Sequence, residues 1–315
     1  MIFRIDRTSF SPMNQDKRLV FFHAVRRNHH LIDCADRSVR DEIMKPFGLM
    51  SPDDSIVRKG LFDISQEKKK YLTTIDVSNY NMDQLILLAG EKARLMIENG
   101  PYEWPIYKEI ARAYRKDPHF FNVAKWIYEA IKKHELYCLH GGGVNTFDAL
   151  IGLEEDEVYT GGTFAKKHVV IFDRDTNSPN QYDSNQNALF RRFCNKNSNA
   201  LVDSDIYAFN QGNYIWHVWY KRAIENYFSN ERFNGLRVGT NRVPVNQYAR
   251  DYCKMDSKDQ GCLDNYSKRT MAQIAKDISW QEFENNLHEF EISIGNESFR
   301  VSEFQLLLLK IAKII

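Results

Sequence analysis

Two carboxylates one residue apart, Asp173 and Asp175, close the apolar run His168-Val169-Val170-Ile171-Phe172. That run carries four consecutive apolar residues, three of them β-branched, and reads as a strand buried on both faces. Thr176-Asn177-Ser178-Pro179-Asn180 follows, which is loop chemistry. In open α/β sheets ligands gather beyond the carboxyl ends of the strands, so the acidic pair lies where a site is expected. An Asp-x-Asp at a strand end is a natural cradle for a hard cation such as Mg²⁺. Glu98 ends a second apolar run, Ala93-Arg94-Leu95-Met96-Ile97, and would face the pair across the sheet if the two strands are parallel neighbours. Three clustered carboxylates repel one another, and burying them is expensive unless a cation neutralises them.

Spacing excludes two other uses of the pair. A phosphatase of the haloacid-dehalogenase type needs Asp-x-Asp-x-Thr, but Asn177 stands at the threonine position. An EF-hand needs Gly at its sixth position and Glu at its twelfth, where this chain has Ser178 and Ser184. A strand-end turn with an aspartate cap is the structural alternative. Other groups also carry two readings. Glu225 is a helix-start carboxylate or a further ligand. Lys221 and Arg222 are an exposed face or, beside a phosphate, stabilisers of developing charge. Gly141-Gly142-Gly143 is a tight turn or a phosphate-approaching loop. Arg26, Arg27, His29 and His30 are a solvated helix end or a phosphate contact. His140 reads as a structural strand-end histidine.

The elements that must position these residues alternate. Strands are expected at 93–98, 136–140, 168–172 and 205–209, and a further one at 214–220. Helices are expected at 103–114, 120–133, 146–153 and 185–196. Such alternation argues for βαβ units and a mostly parallel sheet. Residues 1–90 read as a separate mixed segment, with a strand at 2–5 and a helix at 17–28 bearing Leu19, Phe22 and Val25. Residues 237–262 read as loop-heavy and 268–290 as helical. The tail Ser302–Ile315 is too apolar for an exposed helix, so it folds back onto its own domain or docks on a second subunit or partner.

The chain of 315 residues suits one core with extensions. Forty-three basic against forty-two acidic residues give a net charge of +1, so any nucleic-acid surface must be a local patch. Lys166, Lys167, Arg191, Arg192, Lys221 and Arg222 flank the acids in sequence and are expected to rim them. The five cysteines form no Cys-x-x-Cys pair, which points to reduced core thiols in a cytoplasmic protein. The N-terminus lacks a signal-peptide run, and no stretch of about eighteen apolar residues suggests a membrane span.

The order Leu95-Met96-Ile97-Glu98-Asn99-Gly100, then Gly141-Gly142-Gly143-Val144-Asn145, then Val170-Ile171-Phe172-Asp173-Arg174-Asp175 resembles the Toprim domain of topoisomerases, primases and OLD-family nucleases. Arg222-Ala223-Ile224-Glu225-Asn226-Tyr227 looks like a segment of Toprim-type proteins from bacterial anti-phage systems. The resemblance spans about residues 90 to 230. It implies a Toprim-like, Rossmann-like α/β core at 91–230, between an N-terminal segment (1–90) and a loop-rich, then helical C-terminal region (231–315). It further implies a Mg²⁺- or Mn²⁺-dependent nuclease, with Glu98, Asp173 and Asp175 as ligands; Lys221, read above as a stabiliser of developing charge, is then expected to be its catalytic cation. By analogy the setting is phage defence beside a partner ATPase of the ABC type, with a homo-oligomer possible. One departure stands out. The family pattern has an acid four residues after the glutamate, where this chain has Tyr102; Glu103 substitutes for it or begins the helix. Two alternatives stay open: a non-catalytic interaction module, and a metal-dependent phosphomonoesterase or nucleotidyl transferase.

Overall fold

A computed structural model describes residues 1–47, 53–233, 251–252, 271–285 and 287–315. Its N-terminal part is a small parallel sheet of β1 (Ile2–Arg4), β2 (Leu31–Asp33) and β3 (Thr74–Asp76), ordered β2-β1-β3. Against it lies the helix Gln15–Arg27, started by the Asn14 side chain accepting the Asp16 and Lys17 N–H groups. The helix buries Phe21, Phe22 and Val25, whereas Leu19 is exposed. Phe21 takes the place expected for Leu19 because its ring meets Phe3 of β1 edge-on at 5.1 Å. Among the described residues, the buried apolar side chains from Met1 to Ala89 form one cluster and those from Ala93 to Ile314 another, against which Tyr71, Leu72 and Leu87 also pack.

The larger unit is built on β4 (Ala93–Ile97), β5 (Leu136–His140), β6 (His168–Phe172) and β7 (Trp216–Val218). All four are parallel, in the order β5-β4-β6-β7. The protein is therefore mixed α/β, with parallel sheets flanked by helices in a Rossmann-like arrangement. β6 is buried at every position, as a central strand covered on both faces must be. Phe172 meets Phe147, Phe190 and Trp216 on one face. On the other, Trp219 meets Tyr107, Tyr227 and Phe304.

Residues 205–209 are not a strand. The helix Asp203–Ile206 starts there, with the Asp205 carboxylate accepting the Val202 N–H at 3.0 Å. Gln211 then turns the chain: its amide donates to the carbonyls of Asp205 and Ile206, and its oxygen accepts the Trp216 N–H. The fourth strand is thereby displaced to Trp216–Val218. Within 268–290 the described helices are short, Met271–Ile274 and Trp280–Glu284. A hairpin follows, β8 (Glu289–Ile294) and β9 (Glu297–Ser302), turning at Gly295 with φ +63°. The loop-heavy reading of 237–262 falls, apart from residues 251–252, outside the described residues.

The C-terminal helix Glu303–Ala312 folds back into its own unit, and even Lys310 is 0% exposed. Burial holds that amine well below the usual lysine range, and it donates to the carbonyls of Ile206 and Trp216. Among the described residues no helix is long and apolar enough to cross a membrane.

Candidate acidic site at the sheet switch point

The chain leaves β4 toward β5 on one side, while β6 lies on the other. The crevice between the carboxyl ends of β4 and β6 is thus the point where the strand order reverses, the usual ligand position in such sheets. Glu98 follows β4 directly and Asp173 follows β6 directly. The register pairs Ile97 with Ile171, so the two acids meet, and the Asp173 N–H donates to Glu98 Oε1 at 3.0 Å. Asp173 is buried and Glu98 half-buried. Asp175 is exposed and adopts φ +55°, the left-handed region that non-glycine residues enter rarely.

The residue between the two aspartates anchors the loop. Arg174 is 0% exposed, and its Nε donates to the Trp219 carbonyl at 3.2 Å. The rest of the guanidinium binds the Pro179 and Gln181 carbonyls and the Tyr182 and Tyr207 hydroxyls. Its planar fork of donors thus fixes the loop leaving Asp175. Gln186 donates to the Asp173 carbonyl at 2.7 Å and ties the far end of the loop down.

Glu103 lies in the first turn of the helix Gly100–Tyr114, is 5% exposed, and accepts the Asn99 N–H at 3.2 Å. It starts the helix and stands beside Glu98 in the same turn of chain. Tyr107, one helical turn on, is 3% exposed, and its hydroxyl has no hydrogen-bond partner among the described residues. Burial first, then the charges of Glu103, Asp173, Cys138 and Glu98, push this phenol well above the usual tyrosine range.

The segment carrying Lys221, Arg222 and Glu225 runs beside the acidic loop. The N–H groups of Arg174 and Asp175 both donate to the Arg222 carbonyl, at 2.8 and 3.1 Å. The Arg222 guanidinium lies 3.8 Å from the Asp175 carboxylate and donates to Asn177 Oδ1. Lys221 Nζ lies 2.7 Å from Asp251, a carboxylate in the stretch read only as loop. Lys221 is therefore a neutralised cation in this geometry. Glu225 is 5% exposed in the short turn Ile224–Tyr227. That turn is held from beneath by Glu303, which accepts the Tyr220 N–H at 2.8 Å and the Tyr227 hydroxyl, while Tyr227 in turn accepts the Lys221 N–H at 3.1 Å.

The glycine turn lies against the other side of β4. Gly141 N–H donates to the Ile97 carbonyl at 2.8 Å, and His140 Nδ1 accepts the Gly100 N–H at 3.2 Å, a structural use of that histidine. A Cβ on Gly141 would sit 1.9 Å from the Phe147 ring, so only glycine fits. Gly142 and Gly143, at φ +72° and +94°, turn the chain into the helix Val144–Glu157.

The expected basic rim does not assemble. Lys166 and Lys167 precede β6 while Asp173 follows it, which separates Lys167 from the acid by about 20 Å at a rise of roughly 3.3 Å per residue. Lys167 is 1% exposed, its amine is 3.3 Å from His30 Nε2, and burial lowers its pKa to about 7. His30 is itself buried, so of the residues read as a solvated helix end or a phosphate contact at 26–30 that one belongs to the core. Arg191 and Arg192 occupy the last turn of the helix Asn187–Cys194, the end away from Gln186 and Asp173. Arg192 is clamped to Asp148 at 2.6 Å and Glu155 at 2.8 Å, whereas Arg191 is exposed. Of the six residues, only Lys221 and Arg222 adjoin the acids.

Carboxylate oxygens suit Mg²⁺ or Mn²⁺ in donor type. The Tyr107 hydroxyl, on the helix that begins beside Glu98, is buried without a hydrogen-bond partner among the described residues. As the side chains stand, with Asp175 turned toward Arg222, no three His, Cys, Asp or Glu among the described residues are grouped closely enough to hold a metal ion. Compared with protein-family models, with curated proteins and with solved structures, the chain gives no match.

Proposed function

We propose that this protein is a Mg²⁺- or Mn²⁺-dependent nuclease of Toprim-like design. The observation that carries the reading is the meeting of Glu98 and Asp173 at the switch point, joined through the Asp173 N–H at 3.0 Å. Glu98, Asp173 and Asp175 would hold the cation, with Glu103 and Glu225 as further carboxylates. Bound there, a divalent ion lowers the pKa of water and offsets charge on a phosphodiester. The chain's own residues do the rest. Arg174 fixes the loop so that both aspartates keep their places, and Arg222 offers a guanidinium beside Asp175 for a phosphate oxygen. The glycine turn lets the backbone approach closely beside β4. By analogy with the resembling proteins, the setting would be phage defence beside an ATPase partner.

The test is cleavage of a panel of single- and double-stranded DNA and RNA in the presence of Mg²⁺ or Mn²⁺. Wild type should cut at least one member and stop on chelation, and Asp173→Ala should not cut. A folded wild type that cuts none of them with either ion would refute the reading. A second reading, a non-catalytic module with the same core, is favoured by one observation: Tyr102 stands where the resembling proteins carry an acid.

A further inference from the structure

We propose that Tyr107 is a substrate-binding residue of the acidic site, its hydroxyl donating to a phosphate oxygen seated between β4 and β6. The inference rests on the cation-site reading above and adds to it a group that neither the carboxylates nor the basic residues supply.

Three observations converge on this tyrosine. Its place is set by the helix Gly100–Tyr114, where Glu103 and Tyr107 are four residues apart and so share a face. Helical side chains lean toward the N-terminus of their helix, and here that end carries Asn99 and Glu103 beside Glu98. The ring belongs to the apolar core, 6.2 Å from that of Trp219, on the helix face that also carries Glu103. Its surroundings agree, since the carboxylates acting on it include Glu98 and Asp173, one from each strand of the switch point, and Glu103 on its own helix.

The hydroxyl is also unsatisfied. Buried hydroxyls are almost always hydrogen-bonded, because leaving one unpaired forfeits its hydration with no return. Tyr107 Oη has no partner among the described residues, although carboxylate acceptors stand in its neighbourhood. Trp219 follows β7 at the same edge of the sheet, with its ring 6.2 Å from that of Tyr107, and its indole N–H is likewise buried without a partner. Two neighbouring orphan donors mark a place where an acceptor is missing. A buried phenol hydroxyl without a partner offers a donor. Phosphate oxygens are strong acceptors, and the carboxylates beside them need a cation before an anion can enter.

Tyr107→Phe tests this, because it removes one oxygen and little else. Without ligand the variant should melt at or above the wild-type temperature, since the lost hydroxyl had no partner. With Mg²⁺ present, the concentration of inorganic phosphate giving half the thermal stabilisation should rise about tenfold, the loss expected for one hydrogen bond to a charged acceptor. A lower melting temperature without ligand would show that the hydroxyl has a structural partner, and would overturn the proposal. An unchanged phosphate requirement would overturn it too. Asp173→Asn separates this failure from that of the wider reading. If Asp173→Asn abolishes the response while Tyr107→Phe keeps it, the cation site stands and Tyr107 has no part in it. If wild type shows no response to Mg²⁺ and phosphate together, the cation site and this proposal both fall.

Discussion

The backbone N–H of Asp173 donates to the side chain of Glu98 across the boundary between β6 and β4, at 3.0 Å. Two residues 75 positions apart in the chain thereby share one hydrogen bond at the point where the strand order reverses. The bond ties the Glu98 side chain to the start of the loop that follows β6. Glu98→Ala removes the acceptor of a half-buried N–H and should cost about 1–3 kcal/mol in urea unfolding. Glu98→Gln keeps an acceptor and should cost less than half as much. Equal losses for the two variants would contradict the bond.

Arg174 is the structural member of the Asp-Arg-Asp triplet. Hydrogen bonds to a charged group are worth about 1.5–3 kcal/mol each, so Arg174→Met should destabilise the protein by at least about 3 kcal/mol. Arg174→Lys should recover only part of that, because an ammonium cannot reproduce the planar fork. A Met variant within 1 kcal/mol of wild type, measured by urea denaturation, would show that the loop is held by other means.

Lys167 makes stability depend on pH. Its folded pKa is lowered to about 7 by burial, against about 10.4 in an unfolded chain. Between these values the unfolded state binds the proton and the folded state does not, so stability rises with pH across that window. Each unit of the shift carries about 1.4 kcal/mol. Lys167→Met should flatten the wild-type rise between about pH 7 and pH 10 and should raise stability most at and below pH 7. Parallel stability–pH curves for the two proteins would show that Lys167 keeps its ordinary pKa.

Arg191 and Arg192 separate a surface role from a structural one. Arg192→Ala breaks the ion pairs to Asp148 and Glu155 and should lower the melting temperature. Arg191→Ala should leave the melting temperature within a degree or so. If nucleic acid tracks this helix, Arg191→Ala should reduce the salt slope of binding by about one unit. An unchanged slope excludes Arg191 from the path of the nucleic acid.

The sequence made the parallel core legible because its strands carry their own punctuation. Leu136–His140 and His168–Phe172 run into turn residues at their carboxyl ends, and both match the observed β5 and β6. The acids were legible for the same reason, since strand ends can be read locally. What depended on tertiary contacts was not. The length between 205 and 218 contains two candidate strands, and only the Gln211 bridge decides that the second one joins the sheet. Lys166 and Lys167 adjoin the acids in sequence, yet a five-residue strand carries them to the opposite end of the sheet. The β8–β9 hairpin was readable and was missed: Glu289-Phe290-Glu291-Ile292-Ser293-Ile294 alternates strictly, with Gly295-Asn296 at the turn. Tyr107 gave one signal, its i+4 spacing from Glu103, but an unpaired hydroxyl can be seen only in three dimensions.

Direct titration of Mn²⁺ by calorimetry tests the central claim, that Glu98 and Asp173 form one cation site. Wild type should bind one or two ions, while Glu98→Gln and Asp173→Asn should each weaken the tightest binding at least about tenfold, a loss of about 1.4 kcal/mol, with the folded state intact by circular dichroism. Wild type that binds no ion, or variants that bind it as tightly as wild type, would contradict the account.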